Sequence, residues 1–281
     1  MRDNKRLEPP PRVLPRTVRP FPNETIQSYV ERLSRANRIR PALIHALVRA
    51  RGRDQLANLA ALSGVAAHVL ALAIPDLVDD QPATGSLRGL PRTPSRAACR
   101  RCAVRHSPDH VYPLVSYQHD DVLCAKHRMW IGSAATPYQQ LLLGGLYPEL
   151  SRAARQHRRL IRDLGRPVVL RAYEDAREVA LAYADRGLLP ERVRERGRIL
   201  RDQVDCLSHG TVLEASSYPS TVALTTIFIN LPRGKDWQSL SPQQVDSYRN
   251  RIRREITGHY TPTGAYDAFF RMAARPSSKH C

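Results

Sequence analysis

Four side chains near the middle of the chain have the types and spacing of a tetrahedral metal site. Two residues separate Cys99 from Cys102, and the same gap separates Cys124 from His127, with 21 residues between the pairs. A two-residue gap lets both side chains of a pair turn towards one ion, and thiolate and imidazole ligands suit Zn²⁺. We predict one structural zinc ion bound by these four residues. The alternative is four unrelated thiol and imidazole positions.

The ligand set argues against a catalytic zinc ion. A catalytic zinc keeps one coordination position open for water, whereas these four ligands fill a tetrahedral shell. A nucleobase deaminase would need His-x-Glu and Pro-Cys-x-x-Cys, but no His is followed two residues later by Glu, and Ala98 precedes Cys99. The sequence also contains no Gly-x-Ser-x-Gly, Walker P-loop or Gly-x-Gly-x-x-Gly motif. We therefore expect a binding protein and no enzymatic activity.

Two further groups of potential ligands have simpler explanations. Cys206 and His209 have the spacing of one ligand pair of a second zinc site, but no Cys-x-x-Cys pair accompanies them. We therefore expect them to bind no metal. The run His119-Asp-Asp121 is typical of a turn that leads back into Val122 and Leu123.

The charge of the chain points to a polyanionic partner. It has 44 Lys and Arg against 26 Asp and Glu, a net charge of +18, and such a field favours nucleic acid. Residues 1–53 alone hold 13 bases against 4 acids. All but four of the bases are arginine. A GC-rich genome would explain arginine in place of lysine, but it would not explain the excess of bases over acids.

Two sets of arginines are candidate phosphate contacts. The spacing of apolar residues predicts a helix that starts near Thr25 and runs to about Asn37, and a second helix that starts at Pro41. The first set of arginines lies in or beside these two helices: Arg38, Arg40, Arg49, Arg51 and Arg53. The second set recurs at helical spacing and forms a stripe that can follow phosphates: Arg152, Arg155, Arg159, Arg162 and Arg166. A solvated helix face is the alternative for this stripe. The segment 192–201 mixes bases with acids and is typical of an exposed, salt-bridged helix.

The pattern of apolar residues predicts a mainly α fold with an N-terminal helix-turn-helix-like helical region, a small zinc-bound β-hairpin module and a helical C-terminal region. Residues 1–23 are rich in Pro and Arg and predict an extended arm that is not packed. We then expect a helical domain over 24–80, a linker over 81–98, the zinc module over 99–132 and a helical C-terminal domain over 133–281. Within the zinc module, residues 110–117 are strand-like and predict the hairpin that brings the two ligand pairs together.

Residues 56–72 have the apolar pattern of a helix-turn-helix, with Gly64 at the turn. An ordinary helical hairpin is the alternative. The second helix, over 65–73, contains no Arg, Lys, Asn or Gln, and these are the side chains that usually read base edges. His68 is its only candidate contact. We therefore expect neighbouring arginines to hold DNA, or this helix to pack against protein.

No apolar run reaches the roughly 18 residues of a membrane helix, and the N-terminus lacks the pattern of a secretory signal. We expect a cytoplasmic protein.

Three of these features together resemble the TniQ family of transposition accessory proteins, in an actinobacterial variant. Residues 19–33 are similar to the family's opening Pro-x-Glu-(Ser/Thr)-Leu-x-Ser-Tyr-(Leu/Val)-x-Arg-Leu, since they include Glu24, Ser28 and Arg32 at matching positions. The helix-turn-helix and the Cys99-x2-Cys102 and Cys124-x2-His127 pairs follow in the same order. The resemblance covers about residues 14–130.

The resemblance implies a non-enzymatic adaptor that selects target sites for transposition. Such proteins bind DNA or a guide-RNA effector complex, and recruit an AAA+ ATPase and an integrase-type transposase. The lack of an obvious second zinc site separates this chain from longer family members. The expected partners are DNA and those two proteins, with a homodimer left open and no membrane. A stand-alone DNA-binding regulator is the alternative.

Overall fold

A computed structural model of the chain describes residues 13–49, 54–78, 95–104, 112–132, 137–184, 190–202, 209–231 and 240–257. Its fold is mainly helical with short antiparallel strand pairs, as predicted. Two compact units divide the chain. The N-terminal unit comprises Met1–Gln118 with Ser133–Pro137, and the C-terminal unit comprises His119–Gly132 with Tyr138–Cys281.

Four helices build most of the N-terminal unit. They are α1 (Ile26–Asn37), α2 (Pro41–Val48), α3 (Gln55–Ser63) and α4 (Ala67–Ala73), and a 3₁₀ turn (Pro75–Leu77) follows them. The side chain of Thr25 caps α1 and that of Asp54 caps α3, which satisfies backbone N–H groups that a helix start leaves free. The predicted helix starts near Thr25 and Pro41 are confirmed.

The turn between α3 and α4 is the one that the sequence predicts. Gly64 ends α3 with φ +68, in the left-handed region, where a residue with a side chain would be strained. The axes of α3 and α4 are bent by 111°, which is within the usual range for a helix-turn-helix. Among the described residues no single helix is long and apolar enough to cross a membrane, and only this sharply bent pair has the length and composition to do so when taken together.

The described part of the N-terminal arm is packed, which differs from the prediction. Leu14 and Val18 contact the apolar core of α1–α4, the Leu14 N–H donates to the Leu62 carbonyl at 2.8 Å, and the Tyr29 hydroxyl donates to the Val18 carbonyl at 2.9 Å. Apolar residues spaced between the prolines anchor the arm, and residues 1–12 lie outside the described residues.

Strands β1 (Ser95–Ala97) and β2 (Leu114–Ser116) form an antiparallel pair in the same unit, followed after β1 by the short helix α5 (Arg100–Ala103). A backbone bridge joins Glu24 to Val115 on the other edge of β2. The predicted hairpin between the two ligand pairs was therefore wrong in its pairing. Strand β2 pairs with residues that precede the metal module, and β1 falls inside the predicted linker.

The C-terminal unit begins with a three-stranded sheet of β3 (Leu123–Cys124), β4 (Met129–Trp130) and β5 (Leu141–Leu142), in the order β3-β4-β5. Two 3₁₀ turns, Pro137–Gln139 and Gly144–Leu146, flank β5. The unit boundary falls within the predicted zinc module because Val122 and Trp130 belong to the apolar core of the helices that follow.

In the described part of this unit, five helices follow the sheet: α6 (Tyr147–Leu164), α7 (Arg166–Ala184), α8 (Glu191–Arg201), α9 (His209–Ile229) and α10 (Pro242–Thr257). Helix α9 is buried along most of its length and packs against the other four. Helix α6 buries one face, formed by Leu150, Ala153, Ala154 and His157. Its opposite face carries charged side chains and is exposed to solvent.

Candidate metal centre and basic surfaces

The first ligand pair lies where β1 leads into α5. Cys99 is buried and occupies the N-cap position of α5, while Cys102 lies within that single turn of helix and is partly exposed. The Ala103 N–H donates to the Cys99 carbonyl at 2.9 Å. This helical turn brings residues three apart onto one side, so both thiols face the same direction.

The second pair lies in the β3–β4 hairpin. Cys124 ends β3, and His127 is the third residue of the four-residue turn that leads to Met129. Arg128 completes the turn in the left-handed region, at φ +52. The Cys124 Sγ and the His127 Nδ1 lie 3.6 Å apart.

The structure brings all four predicted ligands together. One ligand atom from each of Cys99, Cys102, Cys124 and His127 lies within 4.8 Å of the other three. Bond lengths of 2.3 Å to sulfur and about 2.05 Å to nitrogen place tetrahedral ligands about 3.6 Å (S–N) or about 3.8 Å (S–S) apart. The Cys124–His127 distance already has this value, and the widest pair would need to close by at most about 1 Å. The residues present therefore fit one tetrahedral ion.

The chemistry of this donor set favours Zn²⁺ in a structural role. Three sulfurs and one imidazole nitrogen are soft to borderline ligands, and a Cys₃His shell has no position left for water or substrate. The His127 Nδ1, as the atom that faces Cys124, is the nitrogen placed to coordinate.

The described arginines of the first predicted phosphate-contact set are exposed and cluster at helix ends. Arg38 is the C-cap of α1 in the left-handed conformation, Arg40 is the N-cap of α2, and Arg49 is the C-cap of α2. Arg51 and Arg53 lie outside the described residues.

The second predicted set divides into four exposed arginines on α6 and a fifth, Arg166, that forms an ion pair with a buried carboxylate. Arg152, Arg155, Arg159 and Arg162 are all exposed on α6. Arg159 and Arg162 contact Asp163 at 3.5 and 3.8 Å, which are weak interactions at this exposure.

Arg166 does not continue the stripe. Gly165, at φ +83, ends α6, and Arg166 begins α7. Its guanidinium pairs with the buried Asp120 and holds the pKa of that carboxyl below its usual value, against the effect of burial. Arg166 therefore lies at the start of α7, outside the exposed row on α6.

The exposed face of α4 is apolar. His68 is exposed, and Leu72 is 81% exposed. The helix contains no Arg or Lys, so it lacks the side chains that most often contact phosphates.

Sequence reasoning missed a buried ion pair in the opening motif. The Glu24 carboxylate accepts hydrogen bonds from the Arg32 Nε at 2.8 Å and Nη2 at 2.6 Å, from the Ser28 hydroxyl at 2.9 Å, and from the Phe21 N–H at 2.9 Å. The side chains of Glu24 and Arg32 are 0% and 2% exposed. The matching motif positions are thus structural, and only their i, i+4, i+8 spacing from Glu24 hinted at this.

A buried chain of rings in the C-terminal unit was also missed. The His119 Nδ1 lies 3.2 Å from the His157 Nε2, and the His157 Nδ1 lies 3.1 Å from the Tyr218 hydroxyl. His119–Asp120 do form a turn, as expected, but both side chains are buried. Burial lowers the pKa of His157 to about 3, helped by the neighbouring His119, and burial also lowers the pKa of His119.

Comparison of the chain with models of known protein families, with curated protein sequences and with solved structures finds no significant match.

Proposed function

We propose that this chain is a non-enzymatic, zinc-containing DNA-binding adaptor that selects target sites and recruits transposition machinery. The observation that carries the DNA-binding part is the face of α6, where Arg152, Arg155, Arg159 and Arg162 are all exposed. The first and last of them, Arg152 and Arg162, are ten positions apart, about 15 Å of helix at 1.5 Å per residue. A row of guanidinium groups of that length matches several phosphates of one duplex.

The zinc part of the proposal is supported by the four ligand atoms that lie within 4.8 Å of one another. Bound zinc would hold its two ligand pairs together and would contribute directly to folding. Because the four ligands complete a tetrahedral shell, the metal is assigned no reaction and the chain no catalytic residue.

Contacts to phosphate, and not to base edges, are expected to dominate DNA binding. Helix α4 presents His68, Val69 and Leu72 to solvent and contains no Arg or Lys. Arg38, Arg40 and Arg49 are exposed at the ends of α1 and α2. Such contacts fix position on the duplex without reading its sequence, so target choice would depend on partners as well as on this chain.

The adaptor role rests on the resemblance to the TniQ family, which implies an AAA+ ATPase and an integrase-type transposase as partners. A stand-alone DNA-binding regulator is the second candidate, because the zinc centre and basic surfaces suit either protein. A pull-down from the native host that recovers the ATPase or the transposase supports the adaptor. Recovery of neither, with specific DNA retained, favours the regulator.

Salt-dependent DNA binding tests the α6 face. The variant Arg155→Gln/Arg162→Gln should weaken binding to all duplex sequences alike and reduce the slope of log K against log salt by about 1.8, which is about 0.9 for each lost phosphate contact. The matched control is Arg194→Gln/Arg198→Gln on α8, which removes the same charge from exposed arginines paired with Glu191 and Asp202.

The control variant should keep most of the wild-type slope. Equal effects of the two variants would show that total charge, not the α6 face, governs binding. His68→Ala should change little. If it abolished discrimination between sites while the α6 variant bound normally, base readout by α4 would replace this placement.

A further inference from the structure

Ser28, in the first turn of α1, is hydrogen-bonded to a residue 86 positions later in the sequence. The Ser28 hydroxyl donates to the Glu24 carboxylate at 2.9 Å and accepts from the Leu114 N–H at 2.8 Å. One hydroxyl can do both, since it has one hydrogen and two lone pairs. Ser28 is 3% exposed, so neither partner has water as a ready substitute.

Strand β2 is fixed to the same turn by its backbone. The Thr25 N–H donates to the Leu114 carbonyl and the Ser116 N–H donates to the Asn23 carbonyl, both at 2.9 Å. With Ser28, this segment satisfies both backbone groups of Leu114. The residues just before α1 therefore pair with β2 along its outer edge, and Ser28 in the first turn of α1 accepts the hydrogen bond from the Leu114 N–H.

The first ligand pair follows β1, the strand that pairs with the opposite edge of β2. Ala97 pairs with Leu114, and the Ala98 N–H donates to the Pro113 carbonyl at 2.8 Å. Cys99 is the next residue, and α5 with Cys102 follows at once. A continuous set of hydrogen bonds thus runs from α1 through β2 and β1 to the Cys99–Cys102 pair, all within the N-terminal unit.

We infer that Ser28 is a positioning residue for the metal centre: by holding Leu114, and with it β2 and β1, it sets where Cys99 and Cys102 present their thiols. This inference rests on the proposed zinc site. It gives the Ser of the opening motif a task in metal binding, although Ser28 touches no ligand atom. Metal affinity depends on the groups that orient the ligands as well as on the ligands.

The test compares two buried serines of the same helix in the full-length chain. Ser28→Ala removes the bond to Leu114. Ser34→Ala removes a hydroxyl that is 0% exposed and has no hydrogen-bond partner among the described residues. Both changes delete one oxygen from the core of α1, but only Ser28→Ala removes hydrogen bonds, the one from Leu114 of β2 and the one to the Glu24 carboxylate. Zinc affinity is measured by competition with a chromogenic chelator, and ligand geometry by the visible absorption of Co²⁺-substituted protein.

Ser28→Ala should weaken zinc binding about tenfold, the lower end of the roughly 10- to 100-fold typical of lost orienting partners, and should alter the Co²⁺ spectrum. Ser34→Ala should match the wild type in both measurements. Equal affinities in all three proteins, or equal losses in the two variants, would overturn the positioning role while leaving the zinc site intact. A wild-type chain that binds neither metal would overturn the site itself.

A second measurement needs no variant. If the link exists, removal of zinc from the wild-type chain should speed hydrogen exchange at the amide of Leu114. Unchanged exchange at Leu114 in protein that has lost its zinc would contradict the inference even if Ser28→Ala failed to fold.

Discussion

The buried ion pair of the opening motif gives a sharp prediction about stability. Replacing Glu24 by Ala removes a carboxylate that accepts four hydrogen bonds and leaves the guanidinium of Arg32, 2% exposed, without the charge that neutralises it. Breaking one side of a buried pair typically costs about 3–5 kcal/mol because an uncompensated charge stays buried. We expect Glu24→Ala to lower the free energy of unfolding of the N-terminal unit by this amount.

The assay is urea unfolding followed by circular dichroism at constant zinc concentration. Glu31→Ala is the matched control, since Glu31 lies on the same helix and accepts one exposed hydrogen bond from the Gln27 side chain at 3.2 Å. That variant should lose at most about 1 kcal/mol. The double variant Glu24→Leu/Arg32→Met should recover much of the loss, because apolar replacement of a buried pair is often close to neutral. A Glu24→Ala protein as stable as the Glu31→Ala protein would refute this reasoning.

Two further predictions concern the C-terminal unit and the metal. Burial lowers the pKa of His157 to about 3, whereas a histidine in an unfolded chain has a pKa near 6.5. Between these values the unfolded chain binds more protons than the folded chain, so the free energy of unfolding should fall as the pH drops from about 6.5 towards 3. Unfolding of wild type across that range should show the loss, and His157→Gln should flatten it relative to the exposed control His68→Gln; equal pH dependence in both variants would contradict it. Cys124→Ser should release the metal and lower the melting temperature to that of chelator-treated wild type, whereas a variant that melts with zinc-loaded wild type would show that Cys124 is not a ligand.

Local features of the sequence predicted much of this fold. Thr25 caps α1, Pro41 begins α2, and Gly64 ends α3 in the left-handed conformation, because capping, proline and glycine each act within a few residues. The ligand pairs were equally visible, since a Cys-x-x-Cys spacing is itself a local geometry. The structure brings the four ligands together as predicted.

The features that sequence reasoning missed depend on long-range contacts. Leu114 bonds to Ser28 across 86 residues, and His157 contacts Tyr218 across 61. No periodicity or spacing reports such pairings, and β2 was assigned the wrong partner for this reason. Arg166 was placed on the α6 stripe by spacing alone, because its separation from Arg162 is helical even though Gly165 interrupts the helix.

Everything proposed for the metal centre depends on one structural zinc ion held by Cys99, Cys102, Cys124 and His127. Metal analysis of the full-length protein, purified under reducing conditions without added zinc, tests it most directly. We expect one zinc per chain, with Co²⁺-substituted protein showing the absorption of a tetrahedral thiolate site. Protein that is folded, reduced and free of zinc, and that takes up none when zinc is supplied, would contradict it.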